Sequence, residues 1–236
     1  MLASDTALSS EIIARESALK QALSTLPAAM VAFSAGVDST YLLDVCREVL
    51  GDRVRAVTAD SPSLARTSLA EARAFCAERN IRHDVVATDE FEREEYLAND
   101  GRRCYHCKSA LIRAMNALAR ATGTERGATA LLIGAISEDF ADVRPGLTAA
   151  AEGGARWPLA DAGFTKQDVR ACSRARGLTT WNRPAEPCLS SRVPYGERVS
   201  PEAVRMIERA ESILREHGLR ECRARHHQVG GGRGLL

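Results

Sequence analysis

Ala28-Ala29-Met30-Val31-Ala32-Phe33, followed directly by Ser34-Ala35-Gly36-Val37-Asp38-Ser39, is the stretch that decides the fold. An unbroken apolar run opened by Pro27 suits a short strand buried on both faces. Small polar residues then make a turn, and residues 39–50 carry the apolar spacing of a helix that Gly51 stops. A strand, a small-residue turn and a helix start, in that order, make a phosphate-holding device. Backbone N–H groups at the helix N-terminus point at an anion, and the helix dipole adds to the attraction. Gly36 allows close backbone approach and a positive φ, while Ser34 and Ser39 can donate hydroxyl hydrogen bonds to phosphate oxygens. The loop lacks the lysine of G-x-x-x-x-G-K-[ST] and the spacing of G-x-G-x-x-G, so it is neither a Walker A site nor a dinucleotide fingerprint.

The same alternation continues on both sides. Residues 9–23 read as an amphipathic helix, 54–58 as a strand, 64–79 as a helix, 81–88 as a strand, 104–122 as a helix and 130–134 as another buried strand. Strands alternating with helices of this length predict an α/β chain with a doubly wound parallel sheet covered on both faces. Ligands then sit at the carboxyl ends of the strands, where Phe33-Ser34, Asp60 and Gly134-Ala135 fall. Residues 89–100 read as an acidic, exposed stretch, and the pattern turns irregular after Gly134. Thr165 caps a helix over 165–176, and a proline-rich connection over 184–194 leads to a helix over 201–217 with Ser200 as N-cap. The division expected is a nucleotide-binding domain over 8–180, a small α+β region over 186–227, and a glycine-rich, disordered tail over 228–236.

The chain has 236 residues, and its 32 basic and 31 acidic residues leave a formal charge of +1, without the basic excess that nucleic-acid binding asks for. Acidic residues at positions 5, 11 and 16 exclude a signal peptide from the first 20 residues, and no apolar run is long enough to span a membrane. Seven cysteines, an odd number, then read as reduced thiols of a cytoplasmic protein. Cys46, Cys76 and Cys172 fall within helices and read as core residues. Cys104-x-x-Cys107 is half of a metal or redox site. Cys188 lies between Pro187 and Ser190-Ser191-Arg192, where Arg192 would lower its pKa and hold an anionic partner. His83 and His217 read as surface or cap residues. Asp142 and Arg144 suit contacts to substrate or magnesium, or an ion-paired turn. Arg223 and Arg225, two apart on an expected strand, would face the same way and suit a substrate phosphate.

The segment 34–39 after its buried strand resembles the S-G-G-x-D-S motif of the PP-loop ATP pyrophosphatases, with Ala35 in place of a glycine. That resemblance implies that ATP is held by its β- and γ-phosphates on Ser34, Ala35, Gly36, Val37, Asp38 and Ser39, leaving the α-phosphorus open to attack. Further segments are similar to the LarE family of ATP-dependent sacrificial sulfur transferases: Glu138-Asp139-Phe140-Ala141-Asp142-Val143-Arg144-Pro145-Gly146-Leu147, Gly154-Ala155-Arg156, Gly177-Leu178-Thr179-Thr180-Trp181-Asn182 and Pro187-Cys188-Leu189-Ser190-Ser191-Arg192-Val193-Pro194-Tyr195-Gly196. This resemblance runs from about Leu8 to His227. It implies adenylation of a carboxylate on a pyridinium dicarboxylate mononucleotide and replacement of AMP by sulfur, in making the nickel-pincer cofactor of lactate racemase. It implies Cys188 and Arg192 at the chemistry, Arg144, Arg223 and Arg225 at the nucleotide substrate, magnesium with the ATP, and a homo-oligomer as one possible assembly. For Cys188 it implies either a sacrificial sulfur or, with Cys104 and Cys107, a ligand of a [4Fe–4S] cluster; zinc ranks third. The family continues past His227 with more strand and helix, so the region over 186–227 reads as a shortened version. A tRNA-thiolating PP-loop enzyme and an inactive nucleotide-binding relic stay open as alternatives.

Overall fold

A computed structural model of the chain describes residues 8–122, 128–142, 144–219, 221–229 and 232–235. The elements follow in the order α1 (Ser10–Ser24), β1 (Ala28–Ala32), α2 (Val37–Leu50), β2 (Val54–Asp60), α3 (Arg66–Glu78), β3 (Arg82–Ala87), α4 (Glu94–Leu97) and α5 (Arg103–Ala121). They continue with β4 (Thr129–Ile133), α6 (Pro145–Glu152), β5 (Ala155–Arg156), α7 (Pro158–Asp161), α8 (Lys166–Ala175), α9 (Pro201–Glu216), β6 (His226–Val229) and β7 (Gly232–Leu235).

The apolar run of β1 divides its side chains between two cores. Ala29, Val31 and the following Phe33 enter one, with Leu19 and Leu23 of α1, Tyr41 to Cys46 of α2, Ala72 and Cys76 of α3, and Val169 and Cys172 of α8. Met30 and Ala32 enter the other, with Leu111, Ile112 and Met115 of α5 and Ala150 of α6. A period-2 strand with apolar residues at every position must be covered on both sides, and it is. The five strands β1 to β5 form one sheet in the order β3-β2-β1-β4-β5, with every pairing parallel. The chain adds strands outward from β1 to β2 and β3, then returns to place β4 on the other side of β1. The sheet is therefore doubly wound, and the gap between the carboxyl ends of β1 and β4 is its switch point.

Helix caps carry the sequence signals they should. Thr165 and Asp168 form a reciprocal capping box at the start of α8. The Ser200 hydroxyl accepts from Ala203 N, and Pro201 takes the first position of α9. Several other expectations do not hold. The irregular stretch after Gly134 contains α6, β5 and α7, short elements hidden by the Gly and Pro residues around them. The stretch over 89–100 is not exposed throughout, since Glu90 and Tyr96 are each 1% exposed and Asn99 0%. Tyr96 anchors a third small cluster with Leu189, Val193, Val199, Val204 and Ile207. This cluster docks α9 and the segment after Cys188 onto α4. The tail is not left without secondary structure, because β6 and β7 pair antiparallel; Gly230, Gly231 and Leu236 lie outside the described residues. Arg223 and Arg225 precede β6 rather than lying on a strand. No helix among the described residues is long and apolar enough to cross a membrane.

Candidate active site at the switch point

The turn after β1 closes on itself through its serines. Ser39 Oγ donates to Gly36 O at 3.1 Å and lies 3.2 Å from Ser34 Oγ. Gly36 is the N-cap of α2 at φ −76°, so it does not use the positive φ expected of it. Ala35 does, at φ 58° and only 3% exposed. The strained conformation therefore falls on the residue that carries a Cβ, at a cost of roughly 1–2 kcal/mol. Glycine is needed instead at Gly134, the end of β4. A Cβ there would stand 2.9 Å from Ser39 N and 3.0 Å from Ser39 Cα. The strand end abuts the first turn of α2, whose N–H groups have no partner within the helix.

Charged side chains gather around this turn. Lys166 Nζ of α8 donates to Asp38 Oδ2 at 2.5 Å, while Asp38 Oδ1 is buried with no hydrogen-bond partner. Arg183 reaches Ala35 O at 3.3 Å, Glu71 at 2.5 Å and Glu186 at 2.7 Å. It ties the phosphate-type loop to α3 and to the segment that leads into Cys188. Neither Lys166 nor Arg183 is marked by the sequence, because both partners lie more than 100 residues away along the chain.

The loop opens on a cleft of about 580 Å³. Ser34, Gly36, Asp38 and Ser39 line it, as do Arg144 and all three thiols Cys104, Cys107 and Cys188. Cys104 and Cys107 stand three apart on the first turns of α5, hence on one helix face. Cys188 caps a 3-10 turn over Leu189–Arg192. Arg103, 4% exposed, fastens the two elements together: Nη1 donates to Ser190 O at 2.9 Å and to Asn99 Oδ1. Behind them Ser63 Oγ, Tyr96 OH and Ser190 Oγ form a buried hydroxyl cluster, with Tyr96 OH 2.6 Å from Ser63 and 2.9 Å from Ser190. Among the described residues no three His, Cys, Asp or Glu side chains are close enough to hold one metal ion.

The Cys188 thiol is not activated in the way the sequence suggests. Burial pushes the Cys107 thiol up to about 12, helped by Cys188, Glu90 and Cys104 and opposed by Lys108. Cys188 is exposed on the cleft wall, yet the protein crowded around it pushes its thiol up, with Arg103 as the leading opposing charge and Arg192 as the last. Arg192 is 5% exposed and committed elsewhere. Its Nε donates to Glu211 Oε1 at 2.9 Å, and Nη1 donates to Pro187 O and, at 3.1 Å, to Cys188 O. It shapes the Cys188 turn, and its charge is the weakest of those acting on the sulfur. Glu211, 0% exposed, also pairs with Arg215 at 3.1 Å and accepts from Ala224 N at 3.2 Å.

The remaining expected residues separate. Arg144 lines the cleft and pairs with Asp139 at 2.5 Å rather than with Asp142. Arg223 and Arg225 are exposed, do not line the cleft, and Arg223 donates to Ala185 O at 3.0 Å. Cys46, Cys76 and Cys172 are buried in the core as expected. His217 is exposed at the C-cap of α9, but His83 is half-buried and bonded to Thr58 Oγ1 at 2.8 Å, so it is not a surface residue.

A Rossmann-like parallel sheet with this serine-closed loop at its switch point is the fold of the PP-loop class. No family model matches the chain. A pyridinium-3,5-bisthiocarboxylic acid mononucleotide synthase of Lactiplantibacillus plantarum is 35% identical over 214 residues, covering 90% of this chain and 76% of that one. An uncharacterised protein of Synechocystis sp. is 41% identical over 210 residues, 89% of this chain and 77% of its own. Another, of Methanocaldococcus jannaschii, is 24% identical over 199 residues, 84% and 74% of the two chains. The chain belongs to the LarE family, that of the mononucleotide synthase.

Proposed function

We propose that this chain is an ATP-dependent sulfurtransferase that converts a carboxylate of a pyridinium dicarboxylate mononucleotide to a thiocarboxylate, in the making of a nickel-pincer cofactor. The observation that carries the reading is that the loop 34–39 and the thiols of Cys104, Cys107 and Cys188 line one cleft. Phosphate activation and sulfur chemistry on one substrate need that proximity.

In this reading the first-turn N–H groups of α2 and the hydroxyls of Ser34 and Ser39 hold the β- and γ-phosphates of ATP. A substrate carboxylate oxygen attacks the α-phosphorus, the bond to pyrophosphate breaks, and an acyl-adenylate forms. A sulfur nucleophile then attacks the acyl carbon, and AMP leaves with the electron pair of the broken C–O bond. Asp38, with its unpartnered Oδ1 in the cleft wall, would hold magnesium together with the phosphate oxygens. Arg144 supplies positive charge on the same wall for the anionic substrate.

The three thiols suit an iron–sulfur cluster better than zinc. They share a cleft, yet no three side chains stand close enough for one ion, and a cluster spreads its ligands further apart than a single ion does. Cys104, Cys107 and Cys188 would hold the cluster. When bound it would supply the sulfur that enters the acyl carbon.

The test is anaerobic turnover with ATP and the dicarboxylate mononucleotide, following pyrophosphate and the intact mass of the protein. Pyrophosphate release with an unchanged protein mass is expected. A mass loss of about one sulfur and two hydrogens at Cys188 would replace the cluster by a sacrificial cysteine. Absence of pyrophosphate release would sink the whole reading.

A further inference from the structure

Glu90 has no part in the chemistry described so far. It follows β3 at the carboxyl edge of the sheet, is 1% exposed, and lines the cleft with the thiols. Its Oε2 is buried without a hydrogen-bond partner, and so is Oγ1 of Thr88 two residues earlier. No ion pair reaches Glu90 among the described residues. A carboxylate removed from water and left unpaired is costly, so the position calls for a partner that is not one of the chain's own contacts.

The neighbours show the sign of that partner. Cys104, Cys107 and Cys188 line the same cleft as Glu90. Three thiols and a carboxylate around one cleft repel one another as they ionise. They become compatible when a positive centre lies among them, which is the electrostatic pattern of a ligand set.

We propose that Glu90 is the non-cysteine donor of the metal centre, its carboxylate occupying the iron that Cys104, Cys107 and Cys188 leave without a thiolate. The inference rests on the cluster reading above. A carboxylate is a harder and more readily exchanged ligand for iron than a thiolate, which suits a position that has to open to incoming sulfur. Glu90 would then act as a resting-state cap.

The full chain, as wild type, Glu90→Gln and Glu90→Asp, is reconstituted anaerobically with iron and sulfide. Iron per chain, the Mössbauer spectrum and the concentration of added sulfide that half-saturates the spectral change are measured, together with ATP affinity. Far-UV circular dichroism and thermal melting establish that each variant is folded. Glu90→Gln is expected to keep its iron, to change the signal of one iron site, and to half-saturate with sulfide at a roughly tenfold lower concentration. Glu90→Asp, which keeps a carboxylate, should fall between the two and serves alone if Glu90→Gln does not fold. Loss of iron from a folded Glu90→Gln also supports a donor role. Identical spectra and sulfide titrations in all three proteins overturn the proposal. An unchanged spectrum with weakened ATP binding overturns it too, and assigns Glu90 to nucleotide hydroxyls. A wild-type chain that takes up no iron refutes the cluster reading itself, a result distinct from a loaded wild type that Glu90→Gln matches.

Discussion

Ala35 holds a left-handed backbone, φ 58°, in the middle of the loop that faces the cleft. Ala35→Gly should relieve that conformation and stabilise the chain by about 1 kcal/mol, read as a higher urea midpoint with unchanged slope. A midpoint that stays put would show that the loop is not under strain. Residue chemistry was legible in the sequence where it is local: Ser34 and Ser39 meet across a turn of six residues, and Cys104 and Cys107 share a helix face. It was not legible where the partner is remote. Arg192 looks like a cation beside Cys188, but Glu211, nineteen residues on and buried, claims it. Glu90 looks like one more surface acid in an acidic run until Tyr96 and Asn99 turn that run inward.

The elements themselves were written plainly wherever a strand or helix is long and its period clean. β1 to β4, α1 to α3, α5, α8 and α9 all occur within a few residues of their expected bounds. Short elements such as α6 and β5 escaped, because a helix opened by Arg144-Pro145-Gly146 and a strand of Ala155–Arg156 offer too few residues for any period. Close approach of elements is likewise invisible without the fold. Gly134 shows it most sharply, since the end of β4 presses on the start of α2. Gly134→Ala should push the first turn of α2 away, weaken ATP binding about tenfold or more, and cost roughly 1–3 kcal/mol of stability. Titration calorimetry with a non-hydrolysable ATP analogue measures the first and urea unfolding the second. Wild-type affinity in this variant would remove that turn from the nucleotide site.

Across the whole molecule, His83 links the edge of the sheet to its centre. Thr58 Oγ1 donates to Phe33 O at 2.7 Å, so its oxygen accepts from His83 Nε2–H at 2.8 Å. Burial lowers the His83 pKa from the ordinary 6.5, with Asp84 opposing and Arg73 adding to the shift. The folded chain therefore prefers the neutral ring, and the unfolded chain takes up the proton first as pH falls. The stability due to this preference is full above 6.5 and is lost as pH drops from there through the folded pKa. The urea midpoint should thus fall between roughly pH 7.5 and 5.5, and fall less in His83→Gln; equal drops in both proteins would clear His83 of the effect. The three small layers of packing carry a last consequence. Cys104 and Cys107 sit at the start of α5, and Cys107 packs against the cluster that joins α9 to the turn after Cys188. The thiol wall of the cleft therefore leans on the α9 cluster, with Arg103 tying its two elements together. A lesion in the α9 cluster, at Val204 or Ile207, should loosen Cys107 and the Cys188 turn together, while the loop at 34–39 keeps its seat in the first core through Ala35 and Val37.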